Sequence, residues 1–128
     1  MPAADAHIQK THLAISEELV GTIEAIETGK SARVSLTTIP RMKADEQGLI
    51  HGGFTFGLAD YAAMVAVNEP YVVLLSSSVK FLKSVIIGDR LTALARVQLI
   101  KGRKKKVRYG VMSSTRTSKK FWKENSCA

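Results

Sequence analysis

A single cysteine, Cys127, in 128 residues excludes an internal disulfide. With only three histidines beside it, His7, His12 and His51, it cannot assemble a metal cluster at these spacings. Aromatic residues make up only 6% of the chain, too few for the stacking platforms common in single-strand nucleic-acid binders. The opening Met1-Pro2-Ala3-Ala4-Asp5 lacks the basic and apolar regions of a secretory signal. The longest apolar stretch, Gly52 to Val67, contains Asp60 and three glycines and falls short of the ~20 residues a membrane span needs. The expectations are a reducing, cytoplasmic setting, no membrane partner, no metal and no resident cofactor.

Acid is also missing from one end. Residues 1–100 hold nine Lys and Arg against ten Asp and Glu, whereas residues 101–128 hold ten against Glu124 alone. The whole formal net charge of +8 therefore sits in a basic hairpin and C-terminal tail. Such a run suits an anionic partner, whether nucleic acid, anionic lipid or a phosphorylated small molecule, or serves as a solvated, charged hairpin protecting a sheet edge.

What the chain does have is 45% hydrophobic and 23% charged residues, the balance of one globular domain large enough to build a core without staples. Residues 7–19 read as a weakly periodic N-terminal helix with Ile8, Ile15 and Leu19 on one side. Val20–Glu27 and Ala32–Ile39 read as a hairpin around Thr28-Gly29-Lys30, and Pro40 ends its second strand. After a polar loop over 41–48, Phe54–Val67 reads as a helix that is apolar on nearly every face and has to be wrapped by other elements. Tyr71–Ser84, Arg90–Ile100 and Lys106–Ser114 supply wrapping strands, with turns at Gly88-Asp89 and Lys101-Gly102-Arg103 and a short last strand within 121–128. The pattern predicts an α+β domain over 1–128 in which a hairpin and a meander of antiparallel strands cover one long central helix.

Asp60 is the sharpest anomaly. It is the only residue charged at neutral pH between Gly52 and Asn68, in the middle of the most apolar helix. A carboxylate there has to be hydrogen-bonded, protonated or open to a wet pocket. It is either a satisfied structural aspartate or a carboxylate tuned for base or nucleophile work. His51-Gly52-Gly53 just before it is the second anomaly, because two glycines at a helix start leave backbone N–H groups, at the positive end of the dipole, open to an oxyanion.

The string from Gly48 to Asp60, with Gly-x-x-His-Gly-Gly at Gly48–Gly53 and Leu58-Ala59-Asp60 after it, resembles the signature of hot dog fold acyl-CoA thioesterases. The likeness is to the phenylacetate-pathway and acyl-CoA thioesterase 13 branch. Phe81-Leu82-Lys83-Ser84 is similar to that family's Phe-Leu-Arg-Pro strand, and Gly88-Asp89-Arg90-Leu91 to its Gly-Asp-x-Leu turn. The resemblance implies a hot dog fold and hydrolysis of an acyl-CoA, with Asp60 as general base or nucleophile and the Gly52 N–H polarising the thioester carbonyl. It also implies a site shared between two subunits, hence a homodimer or a homotetramer. His51, Gly53 and Asp45 complete the implied site. Asp45 stands where the family usually has asparagine, with Gln47 a substitute donor from the same loop. Leu74 replaces a serine that some relatives carry, with Ser76, Ser77 and Ser78 close by. Lys83, Arg103, Lys104 and Lys105 are the candidate contacts for coenzyme A phosphates. Two alternatives stand beside this reading: a non-catalytic acyl-CoA binder on the same fold, and a nucleic-acid binder acting through the basic end.

Overall fold

The computed structural model of the chain describes residues 8–78, 84–113 and 123–127, with the backbone alone for 78 and 123–127. A short helix α1 (Glu17–Val20) precedes strands β1 (Thr22–Glu27) and β2 (Ser31–Thr37). The long helix α2 (Gly52–Val67) follows, then β3 (Leu74–Ser78), β4 (Arg90–Lys101), β5 (Lys104–Ser113) and β6 (Lys123–Cys127). The strands form one antiparallel sheet in the order β1-β2-β4-β5-β6-β3.

Alternation decides which face of this sheet is apolar. Ala32, Val34 and Leu36 of β2, Leu91, Ala93 and Ala95 of β4, and Val107, Tyr109 and Val111 of β5 are all buried. Register stacks them in rows, Val34 beside Ala93 beside Val111 and Ala32 beside Ala95 beside Tyr109, so alanines of β4 sit in the middle of each row. α2 lies against this face, burying Leu58, Tyr61, Met64, Val65 and four alanines. Packing of this kind, rather than helix propensity, stabilises a helix with two glycines in its first turn.

Several boundaries differ from the sequence expectation. The N-terminal helix shrinks from 7–19 to Glu17–Val20, because residues 8–16 run as an irregular strap with bonds to Tyr61 of α2 and to its cap residue Asn68. β1 starts at Thr22 because Gly21, at φ 132°, packs so closely that an added Cβ would lie 2.7 Å from Val34 Cγ1. The meander comprises β4, β5 and β6 only; β3 crosses to the far edge and pairs with β6. α2 begins two residues earlier than expected, since first-turn amides need no intrahelical acceptor and glycine is tolerated there. The expected strand over Tyr71–Ser84 is seen as Leu74–Ser78, and residues 79–83 lie outside the described residues, as does His7.

Candidate active site

The open side of α2 follows from helical spacing. From Thr55 to Val67 every residue is buried except Phe56, Gly57 and Asp60, which are half-buried, and Gly53 is exposed. Positions 53, 56, 57 and 60 are spaced i, i+3, i+4 and i+7, so they form one stripe along a single helix face. The stripe runs from the helix N-terminus to Asp60 over a glycine floor. A Cβ added at Gly57 would meet nothing within 4 Å, so the space one turn before Asp60 is open.

Asp60 is half-buried, and its Oδ1 is shut off from water without a hydrogen-bond partner. The reading of a hydrogen-bonded structural aspartate therefore fails at this oxygen. Burial pushes the Asp60 carboxyl above the usual carboxylate range, and the charge of His12 offsets part of that push. A carboxylate so placed is a stronger base than one in water.

The start of α2 has no side-chain cap. His51 is the N-cap residue, but its side chain makes no capping bond, so Gly52 and Gly53 keep their amides clear of it. The His51 N–H donates to Met42 O at 3.0 Å, which fixes the approach of the chain. The exposed His51 ring meets the Phe54 ring edge-on and overlies Gly53, where an added Cβ would lie 2.9 Å from Nε2. Gly53 thus leaves room for the imidazole.

Asp45 and Gln47 lie on the preceding loop, which is closed by Ala44 N donating to Leu49 O at 2.7 Å and by bridges from Lys43 to Ile50 and from Leu49 to Ile86. Asp45 Oδ1 accepts from Gln47 N at 2.9 Å and Leu49 N at 3.0 Å. This oxygen caps its own loop, and the negative charge has a local structural use. The Gln47 side chain is exposed.

The basic candidates lie elsewhere. Lys105 Nζ pairs with Glu69 Oε1 at 2.8 Å and its side chain is only 10% exposed, so it faces inward, while Arg103 and Lys104 point outward. Because Glu69 lies two residues past the end of α2, the basic hairpin stands at the opposite end of that helix from Gly52. Lys83 lies outside the described residues. Ser77 Oγ is 3.2 Å from Tyr109 Oη.

Sequence reading missed the strap over 8–16. Gln9 Nε2 reaches Tyr61 Oη at 3.0 Å, and the His12 ring lies 5.9 Å from the ring of Tyr61, the residue after Asp60 in sequence. Open cavities of about 660 and 470 Å³ line β1, β2, β4 and α1, and neither includes a residue of α2. Among the described residues the chemistry-bearing groups lie along one stripe of α2, apart from these two cavities. Among the described residues no helix is long and apolar enough to cross a membrane.

Residues 47–119, more than half of the chain and inclusive of α2, match the thioesterase superfamily, and the chain belongs to that superfamily. The fold is the hot dog fold. The crystal structure of the uncharacterized protein PH1136 from Pyrococcus horikoshii is similar at 48% identity and TM-score 0.87, covering 94% of this chain and 90% of that one. The PaaI protein from the phenylacetic acid degradation operon of E. coli is similar at 25% identity and TM-score 0.77, covering 90% and 83%. Among curated proteins, methylthioribose-1-phosphate isomerase of Aquifex aeolicus (strain VF5) is 53% identical over 98 residues, 77% of this chain. This chain spans about a fifth of that protein's length, 21%.

Proposed function

We propose that the protein hydrolyses an acyl-CoA thioester to the free acid and coenzyme A. Asp60 serves as general base toward water or as nucleophile toward the carbonyl carbon, and the Gly52 N–H receives the developing oxyanion. The observation that carries this reading is the Asp60 carboxyl, half-buried with one unpartnered oxygen, on the stripe that leads to an uncapped helix N-terminus. Membership of the thioesterase superfamily and likeness to PaaI support the reaction class.

Gly52 and Asp60 are eight residues apart on one helix, about 12 Å along its axis. Reacting atoms have to approach to roughly 3–3.5 Å, so the two groups of one chain cannot act on the same carbonyl. The proposed site therefore joins Gly52 of one copy to Asp60 of another, and the active form is a homodimer or a dimer of dimers in the cytoplasm. Arg103, Lys104 and Lys83 are the proposed phosphate contacts for coenzyme A.

Thiol release from a panel of acyl-CoA esters tests the proposal. Asp60→Asn is expected to lower turnover by ~10²–10⁴, the range for a positioned acid-base group. Unchanged hydrolysis overturns it. Asp45 favours a second reading, a non-catalytic acyl-CoA binder, because its carboxyl, with Oδ1 accepting from its own loop, stands where the resemblance implies an amide donor to the carbonyl. Tight binding of the esters without thiol release from any of them selects that reading.

A further inference from the structure

The outer face of the sheet, turned away from α2, carries positive charge from the nearly neutral body of the chain. Arg33 of β2 and Leu94 and Arg96 of β4 alternate with the buried residues of those strands, and all three line an open cavity of about 660 Å³ over β1, β2 and β4. Register sets Arg33 opposite Leu94 and Arg96 opposite Ser31, so the two arginines are diagonal neighbours, roughly 7–8 Å apart in the backbone and able to converge on one anion. Glu24 and Glu27 also line the cavity, but each has a cation of its own, Arg90 at 3.3 Å for Glu24 and Lys30 at 3.3 Å for Glu27. Glu24 is held below the usual carboxylate range first by a hydrogen bond from Ser35, then by Arg90, and least by Arg33. Among the described residues neither Arg33 nor Arg96 makes an ion pair.

Charge, floor and size together define the ligand. Arg96 stands directly opposite Arg108 of β5, a juxtaposition of like charges that disfavours the strand pair and that a bound anion offsets. Beside the arginines the floor is apolar: Leu94 faces Gly110, which has no side chain to fill the β5 side, and Ala25, next to the β1 bulge, pairs with Arg33. Guanidinium forks fit phosphate and carboxylate alike, but two of them balance a phosphate monoester, which is nearly a dianion, better than a carboxylate monoanion. The volume falls within the ~300–1,000 Å³ of small-molecule sites. A polyanion laid along this face would meet the carboxylates of Glu24 and Glu27, and β1, β2 and β4 offer it no aromatic side chain to stack on.

We propose that this outer face is a second ligand site, in which Arg33 and Arg96 hold the phosphate of a small organic phosphate ester whose carbon part rests on Leu94 and Ala25. The site is separate from Asp60 and Gly52, and its test requires no hydrolysis. NMR of the full chain, titrated with phenyl phosphate and with inorganic phosphate, follows the amides of β2 and β4 and the arginine Nε–H groups. Saturable shifts at Arg33, Leu94 and Arg96 are expected, with phenyl phosphate bound at least about threefold more tightly than inorganic phosphate because its ring covers apolar surface. Arg33→Gln combined with Arg96→Gln is expected to weaken phenyl phosphate by at least about tenfold through the loss of charge-assisted hydrogen bonds. Arg41→Gln, which removes a cation outside the cavity, changes the affinity by less than about twofold. Both arginines of the site are exposed, so the double variant keeps the core; Arg96→Gln alone, with an expected loss of at least about threefold, replaces it should it not fold. Equal affinity in the wild type and the Arg33 and Arg96 variants overturns the proposal, as does the lack of saturable shifts at these residues. Inorganic phosphate bound as tightly as phenyl phosphate overturns the organic ester as ligand. Tighter binding of a short DNA duplex at the same residues, falling steeply with salt, overturns the small molecule in favour of nucleic acid.

Discussion

Asp60 sets stability against function at the scale of one side chain. Burial raises its carboxyl above the ordinary value, so the folded chain binds that proton more tightly than the unfolded chain does. The resulting stabilisation is complete below the unfolded carboxylate value, near pH 4, and is lost as pH rises through the folded one. Asp60→Asn mimics the neutral acid at every pH. It is expected to raise Tm by a few degrees over the wild type near pH 8, with the gain shrinking toward about pH 4. Thermal scans at the two pH values check this, and a gain of equal size at both contradicts burial as the cause. Hydrolysis runs the other way, rising with pH through the same titration because the base has to be ionised. Asp45 is a contrasting carboxylate: exposed, with Oδ1 accepting two loop amides, it holds the loop that leads into α2.

At the scale of elements, α2 was legible in the sequence and the strap was not. Fourteen apolar-rich residues from Phe54 can only be a wrapped helix, and the alternation in β2, β4 and β5 follows from burial on one face, which a sequence displays directly. The Gly88-Asp89 turn was equally readable, since Asp89 Oδ2 accepts from Ile86 N at 3.0 Å within its own turn. The strap depends on bonds between residues about sixty positions apart, such as Lys10 to Asn68, and local pattern carries no trace of them. The place of β3 at the sheet edge was hidden for the same reason: pairing order is a tertiary choice among compatible strands. Of the site, Asp60 and Gly52 could be named from type and spacing, whereas the stripe joining Gly53, Gly57 and Asp60 required the exact start of the helix. Asn68 is the joint between these elements. It caps α2 at φ 53°, donates to Thr28 Oγ1 at 2.9 Å and holds both sides of the strap. Asn68→Gly keeps the left-handed cap and loses only the bonds, with an expected loss of about 2–3 kcal/mol. Asn68→Ala adds roughly 1 kcal/mol of backbone strain. Denaturant unfolding of both separates the two contributions, and losses under about 1 kcal/mol in each would mean the strap is anchored elsewhere.

The whole molecule presents a geometric problem that a single chain does not solve. The proposed donor and base lie about 12 Å apart along the axis of one helix. The sheet has two edges. Both edge strands are irregular, β1 between Ile23 and Ala25 and β3 between Leu74 and Ser76, but β1 also carries the Glu24–Arg90 ion pair, which discourages pairing, whereas β3 is bordered by Tyr71, 93% exposed, and carries Leu75, 50% exposed. The proposed dimer, formed at the β3 edge under two-fold symmetry, has two identical sites, each with one residue from either chain. Complementation between two inactive variants tests this arrangement. Gly52→Pro removes the oxyanion donor, and proline suits the first helical position because the N–H there has no intrahelical partner and His51 before it is already extended, at ψ 128°. Asp60→Asn removes the base. Each variant alone is expected to be inactive with native circular dichroism. Unfolded and refolded together in equal amounts, half the dimers are mixed, and each mixed dimer holds one site with both defects and one site with none. About a quarter of the sites, and so about a quarter of wild-type activity, should return. A site contained within one chain returns nothing on mixing, because every chain then carries a defect of its own.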